Sequence, residues 1–209
     1  MRFSVGVHGL RARMSRRSFL KGTSAATAGL AALETALTPA GAAAADDPQV
    51  FGPEPVSITL RVNGAARTVA VEPCATLAEV LRGPLNLTGT KIACNRGSCS
   101  ACTVLLDGVP VASCSMLALD VGERAITTIE GLANGDVLHP VQAAFIEHDA
   151  LQCGFCTPGM VLSSAALLER NPQPTAEDVK AAISGHVCRC GTYPHVVDAV
   201  LAAAQARRG

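Results

Sequence analysis

The chain has 209 residues, of which 49% are apolar and 16% are charged, and its 17 basic side chains balance 17 acidic ones. This length supports one or two domains with cores large enough to fold without disulfides. Zero net charge, one Tyr, no Trp and five Phe exclude the basic, aromatic surface typical of a nucleic-acid-binding protein. Nine cysteines remain to be explained, and an odd number cannot all pair as disulfides.

The first 45 residues have the composition of a removable export signal. They carry six basic residues and one acid, so the rest of the chain, with 11 basic and 16 acidic residues, is acidic. A mildly apolar stretch at 23–37 leads to a small-residue run at 41–45. This order of basic, apolar and small-residue regions predicts cleavage near Ala45.

Two adjacent arginines, Arg16 and Arg17, precede Phe19, Leu20 and Lys21 in this segment. They resemble a twin-arginine signal, which exports proteins already folded, and therefore predict a periplasmic protein. The alternatives are a disordered basic tail or a membrane anchor. The apolar stretch is too short and too rich in Ala, Gly and Thr for an anchor, so we expect no stable membrane span.

After an acidic, proline-rich tether at 46–55, residues 56–131 have the pattern of a β-rich domain. Residues 56–62 alternate in polarity, and Asn63-Gly64 separates them from a second strand at 67–71, which predicts a hairpin. Thr76 is placed to cap a short helix at 77–82. A second hairpin is predicted for 103–106 and 109–112, and a last strand for 124–129.

From residue 132 to residue 209 the apolar period becomes helical, and the pattern predicts four short helices in a bundle. Pro140 and Pro158 suit first helical positions, and Thr175 with Asp178 forms a capping box for a helix that ends at Gly185. Pro194 is expected to open the last helix. Its predicted inward residues are Val197, Val200, Leu201 and Ala204.

Four cysteines of the β-rich half form one set: Cys94, Cys99, Cys102 and Cys114. The C-x4-C-x2-C triple with a later fourth cysteine is the spacing of plant-type [2Fe–2S] proteins. Small residues at 97, 98, 100 and 101 allow the backbone N–H groups to approach the sulfurs. A zinc site and disulfides are the alternatives, but structural zinc usually uses two C-x2-C pairs, and three cysteines within nine residues pair poorly.

The helical half holds a second set: Cys153, Cys156, Cys188 and Cys190. By spacing alone this set fits an iron–sulfur cluster, a zinc site or a redox dithiol. Cys156 and Cys190 each come shortly before a predicted helix, whose N-terminus favours thiolates. Cys74 is left over and is predicted to be a bystander. The five histidines are predicted to be surface or packing residues, not ligands: His8, His139, His148, His186 and His195.

With both sets in view, the chain resembles the small iron–sulfur subunit of the molybdenum hydroxylase (xanthine oxidase and aldehyde oxidoreductase) family. The resemblance rests on residues 94–104 (CNRGSCSACTV), 152–159 (QCGFCTPG) and 188–193 (CRCGTY), and covers about residues 56–206. It implies an α+β protein with a β-grasp, plant-type ferredoxin-like domain followed by a four-helix-bundle domain. Each domain is expected to hold one [2Fe–2S] cluster.

The resemblance also implies partners. The molybdopterin cofactor would lie on a large partner subunit, near Gln152 and Cys190, and electrons would pass through both clusters to an FAD subunit or another acceptor, such as a cytochrome. The substrate would be an aldehyde or an N-heterocycle. Arg189 is expected either at the partner interface or as a solvated charge.

Two departures from the family pattern bear on this expectation. Ser100 stands where glycine is usual, and Gly191-Thr192 inverts the usual order, as in the branch that contains isoquinoline-type oxidoreductases. The leader resembles exported aldehyde oxidoreductases instead, so the substrate is not assigned. The alternative function is a free-standing exported ferredoxin or a zinc-stabilised binding module, and the second cysteine set with Gln152 argues against it.

Overall fold

The computed structural model describes residues 50–207. The predicted signal peptide and the first four residues of the predicted tether lie outside this range. From Phe51 onward the chain forms one compact unit. Within the described range, no helix combines the length and apolar character needed to cross a bilayer.

The first half of this unit contains five strands in one mixed sheet, in the order β2-β1-β5-β3-β4. The strands are β1 (Val56–Val62), β2 (Ala65–Val71), β3 (Thr103–Leu106), β4 (Val109–Ala112) and β5 (Ala125–Thr127). Strands β1 and β2 pair antiparallel, as do β3 and β4, so both predicted hairpins are present. Asn63 and Gly64 have positive φ values, as a tight two-residue hairpin turn requires.

Strand β5 is shorter than the predicted strand at 124–129. It pairs parallel with β1 and antiparallel with β3, and it ends at Thr127. The next residue, Thr128, is fully buried, and its N–H group donates to the side chain of Asn63 at 2.9 Å. The chain then turns at Ile129–Gly131, because this bond draws the backbone out of the sheet.

One face of the sheet packs against helix α1 (Leu77–Arg82), which has the predicted bounds. Thr76 caps its first turn, and the carboxylate of Glu79 accepts from the N–H group of Thr76 at 2.9 Å. Leu77 and Leu81 of α1 are buried among strand residues such as Leu60, in the core of this half. A mixed sheet that packs one helix in this way is the β-grasp arrangement of plant-type ferredoxins.

The second half contains the four predicted helices: α2 (Pro140–Glu147), α3 (Thr157–Arg170), α4 (Ala176–Ile183) and α5 (Tyr193–Ala206). Helix α4 ends two residues before Gly185. On α5 the fully buried residues are Val196, Ala199, Val200, Ala203 and Ala204. The predicted inward residues Val197 and Leu201 are only partly buried, because the face of α5 that meets the other helices is rotated toward Val196 and Ala203.

Helix α3 joins the two halves. All ten residues Gly159–Leu168 are buried, since one side of the helix packs on the helical core and the other on the sheet. Leu162 and Ala166 of α3 pack with Leu105 of β3 in an apolar cluster between the halves. Because α3 begins directly after Cys156 and β3 directly after Cys102, this contact brings the two cysteine loops near each other.

Candidate metal centres

The first cysteine set lies around the loop between α1 and β3. Cys94 and Cys99 are partly buried, whereas Cys102, at the end of the loop, and Cys114, in a turn after β4, are buried. Asn95, Gly97 and Ser100 have positive φ values of 50°, 71° and 55°. These left-handed residues curl the loop so that its backbone encircles the sulfurs.

Backbone N–H groups point at the sulfurs of this set. Gly97 donates to Sγ of Cys114 at 3.2 Å, and Ser98 donates to Sγ of Cys94 at 3.3 Å. The N–H group of Cys114 lies 3.5 Å from Sγ of Cys102. A β-carbon at position 97 would lie 2.7 Å from the hydroxyl of Ser115, so glycine is the residue that fits there. Donors aimed at sulfur stabilise thiolates and the anionic cluster that thiolates hold.

The thiols of the first set differ in acidity. Hydrogen bonds from the Arg96 backbone and the Cys99 side chain lower the pKa of Cys94 to about 7. Burial, together with the contact with Cys114, raises the pKa of the Cys102 thiol to about 11. A coordinating metal removes the proton from a thiol outright, so Cys102 becomes a ligand only when the metal compensates for its burial.

The second cysteine set lies at the starts of α3 and α5. Cys156 is buried at the residue before α3, Cys153 is exposed, and Cys188 and Cys190 are partly buried in the segment that leads to α5. The hydroxyl of Thr192, the residue before α5, lies 3.4 Å from Sγ of Cys188. The predicted approach of the Cys156 and Cys190 sulfurs to helix N-termini stays a prediction, but Cys156 is the residue directly before α3, and the sulfur that contacts the residue before α5 is that of Cys188.

The pKa values of the thiols also differ within the second set. Burial disfavours ionisation of Cys188, but hydrogen bonds from the hydroxyl and N–H group of Thr192 outweigh it and lower the pKa to about 7. Burial, together with the contact with Cys188, raises the pKa of Cys156 to about 12. Each set therefore contains a thiol whose pKa is lowered by hydrogen bonds, Cys94 or Cys188, and a thiol whose pKa is raised by burial, Cys102 or Cys156.

Six of the eight thiols lie in pairs. Direct side-chain interactions join Cys94 with Cys99, Cys102 with Cys114, and Cys156 with Cys188. In residues 50–207, no three His, Cys, Asp or Glu side chains converge on a point that could hold a single metal ion. In a [2Fe–2S] cluster each iron takes two of the four thiolates, so paired cysteines with N–H donors around them fit that cluster.

A hydrogen bond connects the two sets through the backbone. The N–H group of Val187, next to Cys188, donates to the carbonyl of Cys99 at 3.2 Å. Beside it, the ring of His186 is buried between the halves, only 6% exposed. The prediction of a packing or surface role did not identify His186 as a residue between the cysteine loops. Its position two residues before Cys188 was the available sequence clue.

The remaining predicted site residues lie at the surface. Gln152 is exposed and directly precedes Cys153, in the loop between α2 and α3. Arg189 is exposed, and it lines a groove of about 300 Å³ together with Phe155 and Val187. Cysteines of both sets also line this groove: Cys99, Cys153 and Cys156.

The ninth cysteine, Cys74, belongs to neither set. It is exposed in the turn before α1, with its sulfur 4.0 Å from a carboxylate oxygen of Glu72. Its role as a bystander stays a prediction.

Comparison with known proteins divides the chain into two matched regions. Residues 60–127 match the family model described as a 2Fe-2S iron-sulfur cluster binding domain, and residues 128–201 match the one described as a [2Fe-2S] binding domain. The nicotine 6-hydroxylase small subunit of Paenarthrobacter nicotinovorans is 51% identical over 146 residues, which cover 70% of this chain and 88% of that protein.

The aldehyde oxidoreductase iron-sulfur-binding subunit PaoA of Escherichia coli K12 is 40% identical over 202 residues, covering 90% of this chain and 86% of that protein. Among solved structures, quinoline 2-oxidoreductase from Pseudomonas putida 86 matches with a TM-score of 0.71 and 43% identity. The match covers 75% of this chain and 98% of that one. With two [2Fe–2S] domains in this order, the chain belongs to the small iron–sulfur subunits of the molybdenum hydroxylase family.

Proposed function

We propose that the chain is the electron-transfer subunit of an exported molybdenum-dependent hydroxylase. The observation that carries this proposal is the hydrogen bond from the N–H group of Val187 to the carbonyl of Cys99, since it joins two cysteine sets within one compact unit. A free-standing plant-type ferredoxin has use for the first set alone. Two linked sets suit a relay between two redox partners.

The eight cysteines of the two sets are the proposed iron ligands. Cys94, Cys99, Cys102 and Cys114 would hold the first cluster, and Cys153, Cys156, Cys188 and Cys190 the second. A bound [2Fe–2S] cluster stores and returns one electron. The chain's own residues supply the N–H donors of Gly97 and Ser98, which stabilise anionic sulfur, and the Thr192 hydroxyl, which does the same at Cys188.

The proposed partner at the second cluster is a large molybdopterin-binding subunit. Gln152 and Cys190 would lie nearest to its cofactor, and the exposure of Gln152 is compatible with that contact. The proposed substrate is an aldehyde or an N-heterocycle, because relatives are subunits of nicotine 6-hydroxylase, nicotinate dehydrogenase and aldehyde oxidoreductase. An FAD subunit or a cytochrome is the proposed acceptor at the first cluster, where residues 95–98 are exposed beside Cys94.

Metal and partner analysis tests this function. The purified protein is expected to be red-brown, with about four irons and four labile sulfides per chain, and to give two distinct EPR signals on reduction. From its native source it should co-purify with a molybdopterin-binding subunit. A colourless zinc protein would contradict the cluster assignment, and a redox-competent monomer with no partner would contradict the subunit role.

We also propose that the protein is exported in the folded state to the periplasm. Support comes from the sequence alone, from Arg16 and Arg17 before an apolar stretch and a small-residue cleavage region. Replacing both residues with Lys should leave folded, cluster-containing precursor in the cytoplasm. The matched control replaces Arg11 and Arg13 with Lys and should export normally. Unimpaired export of the Arg16 and Arg17 variant would refute the twin-arginine assignment.

A further inference from the structure

A buried polar joint lies between the two cysteine loops, formed by Ser100, Thr103, Ser163 and His186. Ser100 lies within the first cysteine loop, and Thr103 directly follows it. Ser163 is on α3, and His186 lies two residues before Cys188. Thr103, Ser163 and His186 are all buried, with at most 6% of each residue exposed. Burying a polar group costs free energy unless the group is hydrogen-bonded, so the hydrogen bonds of these side chains determine whether the joint is stable.

The hydrogen bonds of the joint centre on the ring of His186. Its Nε2 lies 3.2 Å from Oγ of Ser163 and 3.5 Å from Oγ1 of Thr103. The Thr103 hydroxyl donates its hydrogen to the carbonyl of Ser100 at 2.7 Å, so its oxygen can only accept from His186. This assigns the proton to Nε2, and the ring bridges α3 to the first cysteine loop as a donor.

The backbone around His186 holds the second cysteine loop. The hydroxyl of Tyr193 donates to the carbonyl of His186 at 3.0 Å and accepts from the N–H group of Cys188 at 2.7 Å. The next residue, Val187, donates to the carbonyl of Cys99. The ring of His186 therefore anchors the backbone directly before Val187, whose N–H group makes the hydrogen bond between the two cysteine sets.

The joint is tightly packed on the sides that face Gly159 and Gly185. A β-carbon at Gly159 would lie 2.5 Å from the carbonyl of Ser100 and 3.3 Å from the ring of His186. A β-carbon at Gly185 would lie 3.3 Å from the hydroxyl of Ser100. Backbone and ring are in contact on several sides, so a change at His186 is transmitted to the spacing of the loops.

We propose that His186 is a positioning residue whose ring fixes the separation of the two [2Fe–2S] clusters. By bridging Thr103 and Ser163, it keeps the Val187 N–H group on the carbonyl of Cys99 and holds the cysteine loops at one distance. The inference rests on the proposed function, because it requires both clusters to be present. Its consequence is that the magnetic interaction between the two reduced clusters depends on this ring.

The test uses the full chain with both clusters loaded. Iron and labile sulfide are counted first, and the splitting of the EPR signals in the fully reduced protein is then measured. His186→Leu removes the donor while keeping an apolar side chain of similar size, and His186→Gln returns an N–H donor. Ser163→Ala removes one partner of the ring. Ser164→Ala is the matched control, because Ser164 is the neighbouring buried serine whose hydroxyl has no partner in the described residues.

A second readout does not depend on the clusters' magnetism. Amide hydrogen exchange of the peptide that contains Val187 reports whether its bond to Cys99 opens more often. In His186→Leu and Ser163→Ala we expect exchange up to about tenfold faster, equivalent to about 1.4 kcal/mol. We expect His186→Gln and Ser164→Ala to exchange at the parent rate.

The inference predicts altered splitting in His186→Leu and Ser163→Ala, and parental splitting in His186→Gln and Ser164→Ala. Parental splitting and exchange in a fully loaded His186→Leu protein would overturn it. If His186→Leu fails to assemble both clusters, Ser163→Ala decides by the same two readouts. A parent protein without two clusters would instead refute the proposed function, so the two failures are distinguishable.

Discussion

Ser100 carries a β-carbon in a backbone conformation that favours glycine. Its φ is 55°, and its carbonyl accepts from both the N–H group of Thr103, at 3.2 Å, and the hydroxyl of Thr103. These two bonds hold the residue in the left-handed region despite the steric cost of the side chain. Ser100, which stands where the family usually has glycine, therefore introduces local backbone strain. The hydrogen bonds to its carbonyl hold it in this strained conformation.

Ser100→Gly should therefore stabilise the protein. Removing the β-carbon relieves about 1 kcal/mol of left-handed strain while the carbonyl keeps both hydrogen bonds. Urea unfolding of the cluster-loaded protein under anaerobic conditions measures the change. Asn95→Gly is the matched control, because Asn tolerates positive φ better than Ser and should gain less. A lower midpoint for Ser100→Gly than for the parent would show that its side chain stabilises the loop.

Gly159→Ala tests the close approach of α3 to the first cysteine loop. The new β-carbon would meet the Ser100 carbonyl at 2.5 Å, and backbone at that distance must move. We expect a net loss of about 1–3 kcal/mol in unfolding free energy, even after the helix propensity gained by alanine. Gly185→Ala meets only the Ser100 hydroxyl, at 3.3 Å, and should cost less. Equal costs would contradict the tight contact.

At the scale of elements, local rules predicted most boundaries. Helix α1 follows from Thr76, and the two hairpins follow from the turns at Asn63-Gly64 and Asp107-Gly108, because capping and turn geometry depend on neighbouring residues. The parallel pairing of β5 with β1 could not be predicted this way. It depends on contacts far apart in the chain, including the bond from Thr128 to Asn63 that ends β5.

The cap of helix α2 was not predicted from the sequence. Pro140 indicated the start, but the side chain at the cap is His139, whose Nδ1 accepts from the N–H group of Val141 at 3.2 Å. Burial lowers the pKa of His139, and the positive charge of Arg207 lowers it further, against the opposing effect of Glu169. A protonated ring cannot accept this bond, so the cap exists only in the neutral form.

The cap makes stability depend on pH. The unfolded histidine binds a proton more readily than the folded one, so its contribution is complete above the ordinary pKa of 6.5 and is lost as the pH falls through the lower folded value. We expect a loss of no more than about 1 kcal/mol, the value of an N-cap, in urea unfolding between pH 8 and pH 5.

His139→Asn is the control for this prediction, because Asn caps helices well and does not titrate in this range. Burial also lowers the pKa of His186, which contributes in the same direction, so the difference between parent and variant isolates the cap. The same pH slope in both proteins would remove His139 as its cause.

At the scale of the whole molecule, the cysteine spacing predicted the two sets but not how they are placed relative to each other. Spacing within 94–102 or 153–156 is local, whereas the joint combines Thr103, Ser163 and His186 from three separate segments. Besides the position of His186 two residues before Cys188, the sequence feature at this joint was the small residue Gly159 next to Pro158. Its meaning depends on the Ser100 carbonyl, 59 positions earlier in the chain, which no local pattern identifies.

The surface around the second set is where the molecule should meet its large subunit. Phe155 is 47% exposed and, with Val187, forms apolar walls of the groove that Cys99, Cys153 and Cys156 also line. An aromatic side chain exposed between two cysteines of the second set is of the kind that anchors protein–protein interfaces. Arg189 at the same groove adds a positive charge to a chain that is acidic from residue 46 onward.

Phe155→Ala should therefore weaken the complex while leaving the subunit intact. Loss of an aromatic anchor commonly costs 2 kcal/mol or more, so we expect about 30-fold weaker association with the molybdopterin-binding subunit in a titration of the purified partners. Val109→Ala is the control, because Val109 is 56% exposed in the β3–β4 hairpin and away from the groove. Iron content must equal that of the parent in both variants. Parental affinity in a fully loaded Phe155→Ala protein would place the interface on another face, since an anchor buried against the partner cannot be removed without loss.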